Sequence, residues 1–532
     1  MIRLTPCGER CAVLCEAATR LSSYLDSRLP GSSNVNPTPQ PDEDRIAQRP
    51  SGLAGRLDRY FHIRERGSTF PREIRGGLAT FFAMAYIIVL NPLIIGTAED
   101  MNGDTLGITR VAATTALVGG VITILMGVVS RYPFAIAAGM GLNVIVAYSL
   151  APQMTWADAM GVIILEGLVL LLLVLTGFRT AVFRAIPPEL KSAIAVGVGM
   201  FLTLVGFVNA GFIRRIPDAA DTTVPVQLGN GSLSGWPILV FVIGLILTIA
   251  LIVNRVRGAM LIGIAVATVV AIVIETFAQV GPMDDGQGPV NPEGWSLTVP
   301  SLPTSLGDIV SLPDFSLIGQ FNLFGSFANA GTIAVILLIF TLLLADFFDT
   351  MGTMVGVAGQ AGLLDERGNV PRAREVLIVD SLGTIAGGAA PSSVNTVFAE
   401  SAAGVGEGAR TGLAPVVTGA LFLVATLFSP LVELVPFEAA TPVLIIVGFM
   451  MVTQITRIPF SDYSIGIPAF LTIVMMPFSY SIANGIGVGF ISYAVIRVAQ
   501  GRFREIHPLL WIVAGAFAVN FALGPIRQLL GL

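Results

Sequence analysis

The sequence predicts an all-α polytopic membrane protein with fourteen membrane-spanning segments. These form two inverted repeats of seven, with short extended pieces before half-helices in the third and tenth. Three observations predict this: an apolar composition, apolar runs at regular intervals, and matching irregularities in the two halves. Of 532 residues, 54% are hydrophobic and only 12% charged, and the mean hydropathy is +0.80, whereas soluble domains carry about 25% charged residues. Apolar runs of roughly twenty residues, each enough to cross about 30 Å of hydrocarbon as a helix, recur from Thr80 onward. The period-2 alternation of a membrane barrel is absent.

The spans are expected near 75–97, 110–129, 137–150, 157–176, 187–208, 235–254 and 258–276, then near 333–355, 373–390, 397–407, 411–429, 437–455, 461–478 and 480–499. Residues 1–52, rich in Pro, Ser, Asn and Arg, have too little apolar content to pack and are expected to be disordered. Cys7, Cys11 and Cys15 all fall there, so neither a disulfide framework nor a metal site is expected. Residues 53–74 form an amphipathic, basic lead-in at the cytoplasmic surface.

Charge sets the orientation. With a cytoplasmic N-terminus, Arg131, Arg179, Arg184, Lys191, Arg255, Arg257, Arg367, Arg372, Arg374, Arg410, Arg457, Arg502 and Arg504 fall on inside loops or span ends. The long connection 277–332 is then extracellular, and from Phe277 to Phe321 it has no Lys or Arg. Arg214 and Arg215 are the exceptions. An apolar stretch from Pro508 to Leu523, within the terminal 500–532, is left open as a fifteenth crossing, an interfacial helix or a packed flap.

The halves resemble each other. IPPELKSAIAVGVGMFLTLVGF at Ile186 and VPFEAATPVLIIVGFMMVTQI at Val435 share a Pro-acid opening and stand fifth in their series. Seven is odd, so the halves run in opposite senses, as in many secondary transporters. The third members, RYPFAIAAGMGLN and GGAAPSSVNTVFAE, each supply half a membrane's length of helix after a Pro-containing run. Such interruptions at matching places mark a midplane site, because non-helical backbone survives there only where protein or a watery cavity satisfies it.

Charged side chains at mid-bilayer are costly and call for a function. Asp346, Asp349, Thr350 and Thr353 follow i, i+3, i+4, i+7 spacing and are expected to share one helix face. The plainer reading is that they bond neighbouring helices. Against it, two carboxylates so close in a poor dielectric resist joint ionisation. Glu400 follows Pro391, Ser392, Ser393, Asn395 and Thr396 at the start of the tenth segment, where a helix terminus favours its charged form and burial its neutral one. Small changes in water access could therefore switch it, as a proton-coupled carrier requires. Its expected counterpart is Asn143, ten residues after Pro133 as Glu400 is nine after Pro391. Phe398 could offer a π-face to a flat ligand, or pack as core. Glu166 is read as structural, and Asp380 either as a support of the motif helix or as a plain contact. His62 and His507 lie outside the spans, so no histidine relay is available.

At these residues the chain resembles the AzgA-type purine nucleobase permeases of the nucleobase-ascorbate transporter superfamily, related to xanthine/uracil permeases. The stretches that carry the likeness are LDRYFHIRERGSTFPREIRGGLATFFAMAYIIVLNP, AAGMGLN, ADFFDTMGTMVGVAGQAGLLDERGNVPRA, SSVNTVFAESAAGV and TGLAPVVTG. The resemblance implies a core domain (75–176 and 333–429) that shifts against a gate domain (187–276 and 437–499). It also implies proton-coupled uptake of adenine, guanine or hypoxanthine across the plasma (inner) membrane, not an enzymatic activity. Carried over, the third-segment amide falls on Asn143, the eighth-segment acid on Asp346 or Asp349, with Asp346 favoured, and the tenth-segment glutamate on Glu400. The expected substrate set is Glu400, Asp346, Asn143, Phe398, Asp349, Thr350 and Ser393, with Glu400 and Asp346 coupling the proton and no other cofactor. The expected partners are a purine base and the bilayer, not nucleic acid; a homodimer through the gate domain is an analogy from the superfamily. The alternative is an anion or other small-solute carrier of the same fold. Three acids and no cation in the core argue against an anion.

Overall fold

Two interruptions organise the chain. Arg131 adopts a left-handed conformation (φ 60°) that stops one helix, Pro133 follows, and the chain runs extended to Ala138. In the second half Pro391 and Ser393 (φ 77°) do the same before Asn395. Each extended piece then enters a six-residue helix.

The computed structural model describes residues 52–530 except 177–185, 216–225, 230, 284–289 and 367–369. Of the stretch expected to be disordered, 1–52, residues 1–51 with the cysteines lie outside the described residues, as do Arg179, Arg184 and Arg367. Met1–Arg59 and Tyr60–Leu532 are separate compact units.

In order, the elements of the first half are α1 (Leu53–Phe61), α2 (Phe70–Met84), α3 (Ile87–Ile95), α4 (Ile108–Ser130), β1 (Ile136–Ala138), α5 (Met140–Ile145), α6 (Trp156–Thr176), α7 (Pro188–Asn209), β2 (Ile213–Arg215), β3 (Val226–Leu228), α8 (Trp236–Val253) and α9 (Ala259–Ala278). Then come α10 (Gly325–Asn329), α11 (Thr332–Gln360), α12 (Ala373–Ala389), β4 (Asn395–Val397), α13 (Ser401–Gly406), α14 (Leu413–Ala425), α15 (Phe437–Ala440), α16 (Pro442–Val452), α17 (Tyr463–Phe478), α18 (Ile482–Ala499) and α19 (Pro508–Leu530). Among the described residues ten helical stretches are long and apolar enough to cross a bilayer. α19 packs against α18 and α11.

The strands form two sheets of two. β1 pairs antiparallel with β4, matching Ile136 with Val397, Ala137 with Thr396 and Ala138 with Asn395. This is the expected crossing, and neighbours satisfy its backbone. The Thr123 hydroxyl bonds both N–H and C=O of Ile136 (2.9 and 2.7 Å), Ala135 N–H donates to Ser401 Oγ (3.0 Å), and Thr384 Oγ1 shares its one proton between the Asn395 carbonyl (3.2 Å) and Asp346 Oδ2 (3.3 Å). Without these bonds, two three-residue strands would leave bare amides in hydrocarbon. Gly387 makes the close approach possible, since a β-carbon there would stand 1.9 Å from the Ser393 carbonyl oxygen.

The second sheet, β2 with β3, was not expected and explains the charge exceptions. Arg214 lies on β2 and donates through Nη1 to the Pro292 carbonyl (2.9 Å), so it braces the long connection between α9 and α10. That connection also folds inward: Trp295 is buried and donates to Glu275 (2.7 Å), and Ser296 Oγ donates to Glu438 (2.7 Å). At another end of the bundle, Arg66 donates to the carbonyls of Arg131 (2.6 Å) and Arg410 (3.1 Å), and Arg372 to that of Val129 (3.1 Å).

Candidate functional site at the strand crossing

Glu400 heads α13, immediately beyond β4, and is half-buried. Its Oε1 accepts a hydrogen bond from the Tyr86 hydroxyl at 2.7 Å. Tyr86 occupies the break between α2 and α3 and is 1% exposed. A tyrosine donor fixes one carboxyl oxygen and leaves the other directed elsewhere.

α11 presents its polar residues in two directions rather than on the single face expected. Asp346 and Thr350 are fully buried. Thr384 on α12 donates to Asp346 Oδ2 (3.3 Å), and Thr350 Oγ1 donates to Asp380 Oδ1 (2.9 Å) and lies 2.6 Å from Thr396 Oγ1 on β4. Asp349 is exposed although it lies mid-helix, and it stands within electrostatic reach of Glu400 and Tyr86. At about 3.6 residues per turn, a three-residue step turns the side chain by roughly 60°, enough to straddle the edge of a helix contact. Gly352 and Gly356 continue the Asp349 side, and a β-carbon at either would meet nothing within 4 Å. Asp349 is therefore exposed beside the half-buried Glu400, which the buried Tyr86 holds from behind, while Asp346 turns into the protein.

The other expected residues are buried. Asn143 on α5 is fully buried, and neither of its amide atoms has a hydrogen-bond partner. Counted from the paired centre, Ala137 with Thr396, Glu400 lies four residues on and so does Gly141. Asn143 lies two residues further, six beyond Ala137. Phe398 is 6% exposed and its ring packs in the main core, so it has no free face. Ser393 is fully buried with its hydroxyl unpartnered. Glu166 is fully buried with both oxygens unpartnered, beside Asp346 and Asp380.

Several participants escaped the sequence reading. Asn91 donates to the Ser392 carbonyl (3.0 Å) and to Thr115 Oγ1 (2.7 Å), and Thr114 donates to the Pro391 carbonyl (2.9 Å), which fixes the approach to β4. Tyr86 and Asn91 are polar groups inside the apolar run FFAMAYIIVLNP, and that isolation was the available signal. Among the described residues no group of three or more His, Cys, Asp or Glu is placed to hold a metal ion.

The model of the Permease family, Xan_ur_permease, matches residues 71–488. The guanine/hypoxanthine permease PbuG of Bacillus subtilis is 38% identical over 469 residues, covering 87% of this chain and 98% of that protein. The adenine permease AdeP of Escherichia coli is 36% identical, covering 88% of this chain and 96% of that one. Among solved structures, the transmembrane domain of the cyanobacterial bicarbonate transporter BicA aligns with a TM-score of 0.51 at 16% identity, over 81% of this chain and 97% of that one. Murine Slc26a9, an anion transporter in its inward-facing state, aligns with a TM-score of 0.54 at 11% identity, over 90% and 75%. At such identities these two likenesses concern the fold alone.

Proposed function

Because the chain belongs to the Permease family, matched over residues 71–488, we propose that it carries purine nucleobases inward across the plasma membrane together with protons, its N-terminus in the cytoplasm. Adenine, guanine and hypoxanthine are the candidates, since relatives named for guanine/hypoxanthine and for adenine are about equally similar. The observation that carries this reading is the Tyr86–Glu400 hydrogen bond at the strand crossing, with the exposed Asp349 within electrostatic reach of Glu400. A purine presents ring N–H donors along one edge, and two carboxyl groups at a mid-membrane opening are acceptors for them. In this reading Asp349 takes the ligand-facing role that the resemblance favoured for Asp346. Phe398 and Ser393 close the wall behind, and Asn143 offers an unpaired amide on the other half. Glu400 and Asp346 take part in proton coupling.

Packing supports the fourteen-segment, two-repeat arrangement. The second span of the first half, α4, packs on the fourth of the second, α14, and α12 packs on α6 in the same way. The third spans meet at β1 and β4, and the fifth, α7 and α16, pack together. A two-fold relation between halves generates this exchange. The gathering of Arg66, Arg131, Arg372 and Arg410 at one end supports a cytoplasmic assignment for that end. α2–α6 with α11–α14 would then move as the core against α7–α9 and α15–α18, and protonation could drive this only by favouring one state over the other.

The test is uptake of labelled hypoxanthine by proteoliposomes containing the whole chain. Uptake should require an inward proton gradient and fall under a panel of competing purines, whose order would give the preference. Uptake indifferent to pH and to uncoupler would end the symport reading. Purine binding retained in a folded Glu400→Gln variant would remove Glu400 from the site.

A further inference from the structure

Behind the strand crossing lies a second group of acids. Glu166 on α6, Asp346 on α11 and Asp380 on α12 are each fully buried. Asp346 and Asp380 are the electrostatic partners of Glu166; Thr384, at 3.3 Å, Thr350 and Thr396 stand beside Asp346, and Thr350, at 2.9 Å, and the Val397 backbone beside Asp380, whereas Glu166 has no such neighbour. Four oxygens have no partner: Glu166 Oε1 and Oε2, Asp346 Oδ1 and Asp380 Oδ2.

The charged groups facing this cluster are few. Asp349 stands on the same helix as Asp346, and Glu400 lies beyond Asp349. β1 and β4 have no titratable side chain, and the one charged residue of α4, Arg110, is in its first turn. None of the electrostatic partners of the three acids is a Lys, Arg or His. An isolated carboxylate taken from water into a medium of low dielectric costs tens of kcal/mol in the limit and, after relaxation, still several. Three such groups together without a counter-charge cannot all be ionised, so their charge must be cancelled by something bound. The oxygens do not converge as a metal-ligand set among the described residues. A proton needs only one lone pair and a neighbouring acceptor, and Glu166, which receives no hydrogen bond, is the group with most need of one.

We propose that Glu166, Asp346 and Asp380 form a proton-storage site behind the ligand-facing acids, connected to the strand crossing through the Thr350–Thr396 hydroxyl contact. The proposal rests on the purine/proton symport reading and refines it: Asp349, Glu400 and Tyr86 recognise the base, and Asp346 couples the proton as a member of the rear cluster, with Glu400 responding to it from the ligand side. The proton binds a carboxyl oxygen when water reaches the cluster from one side and leaves to water on the other, so a neutral base and one proton move one positive charge inward.

The experiment compares wild type with Glu166→Gln in proteoliposomes by two assays. Hypoxanthine exchange without a gradient should stay near wild type, whereas accumulation driven by an inward proton gradient should fall by about tenfold or more, a change of about 1.4 kcal/mol in the coupled equilibrium. Undiminished accumulation in Glu166→Gln overturns the proposal. Absence of exchange in wild type would instead refute the purine reading. If Glu166→Gln does not fold, infrared spectroscopy of the wild type and of an Asp349→Asn, Glu400→Gln double variant decides. A protonated-carboxyl band must be present at neutral pH in both, and its absence from either overturns the storage site.

Discussion

Replacing Tyr86 by Phe removes one oxygen and leaves the ring in place, so it isolates the hydrogen bond to Glu400. That bond is 2.7 Å long and is made by a donor 1% exposed to a carboxyl group that is half-buried. A hydrogen bond to a charged group contributes about 1.5–3 kcal/mol to stability, and water reaching the half-open carboxyl group recovers part of it, so a loss near the lower figure is expected on melting in detergent. The effect on ligand binding is smaller, because the bond exists with and without ligand. Freeing Glu400 costs only the ordering of one side chain, about 0.5–1.5 kcal/mol, which weakens purine affinity by about two- to twelvefold in calorimetry. In a Glu400→Ala background the same replacement should be nearly silent, since its partner is gone. If Tyr86→Phe costs as much in that background as in wild type, or changes neither stability nor affinity, then Tyr86 does not act through Glu400.

Gly387→Ala places a β-carbon 1.9 Å from the Ser393 carbonyl oxygen and 2.3 Å from Asn395 Nδ2. The crossing must shift, with a loss of about 1–3 kcal/mol or more, read as a lower melting temperature together with weaker purine binding. Asp349→Asn should weaken purine affinity by about tenfold or more while Asp346→Asn leaves it nearly intact, as measured by titration; equal losses would contradict the division of α11 into two faces. In the long connection between α9 and α10, the backbone N–H groups of Thr304 and Ser305 and their hydroxyls hold the Asp308 carboxyl down to about 2 from its ordinary 3.8. Its folded value lies below the unfolded one, so its contribution is present above the ordinary value and lost as pH falls through about 2. Pepsin should therefore cut near this turn faster at the acid end of its range, and Asp308→Asn should abolish that dependence.

The broken third and tenth segments were legible because proline and small residues interrupt otherwise apolar sequence, and only a satisfied interior tolerates that. Glu400 was legible for the same reason. The rotation of α11 was not: Asp346 and Asp349 are equally polar, and only the position of α12 decides which of them meets Thr384. Nor could spacing from Pro133 and Pro391 give the pairing of Ala137 with Thr396, since that rests on strand register. Phe398 follows β4 and looked available, but its ring is claimed by the core. Tyr86 was passed over because a single hydroxyl barely alters the hydropathy of its run. The β2–β3 hairpin is too short to leave a pattern, and the misplaced Arg214 was its one trace.

The threonine and serine side chains that bond the β1–β4 backbone come from α4, α12 and α13, and Asn91 on α3 bonds the approach to β4, so these helices form a cradle around the crossing. Prising the crossing apart inside hydrocarbon would strand those amides and carbonyls with nothing to accept them. In the proposed transport cycle these helices would therefore travel as a solid piece, and whatever yields would lie along its outer seams. Solute would be relocated by a tilting block rather than passed from hand to hand along a channel.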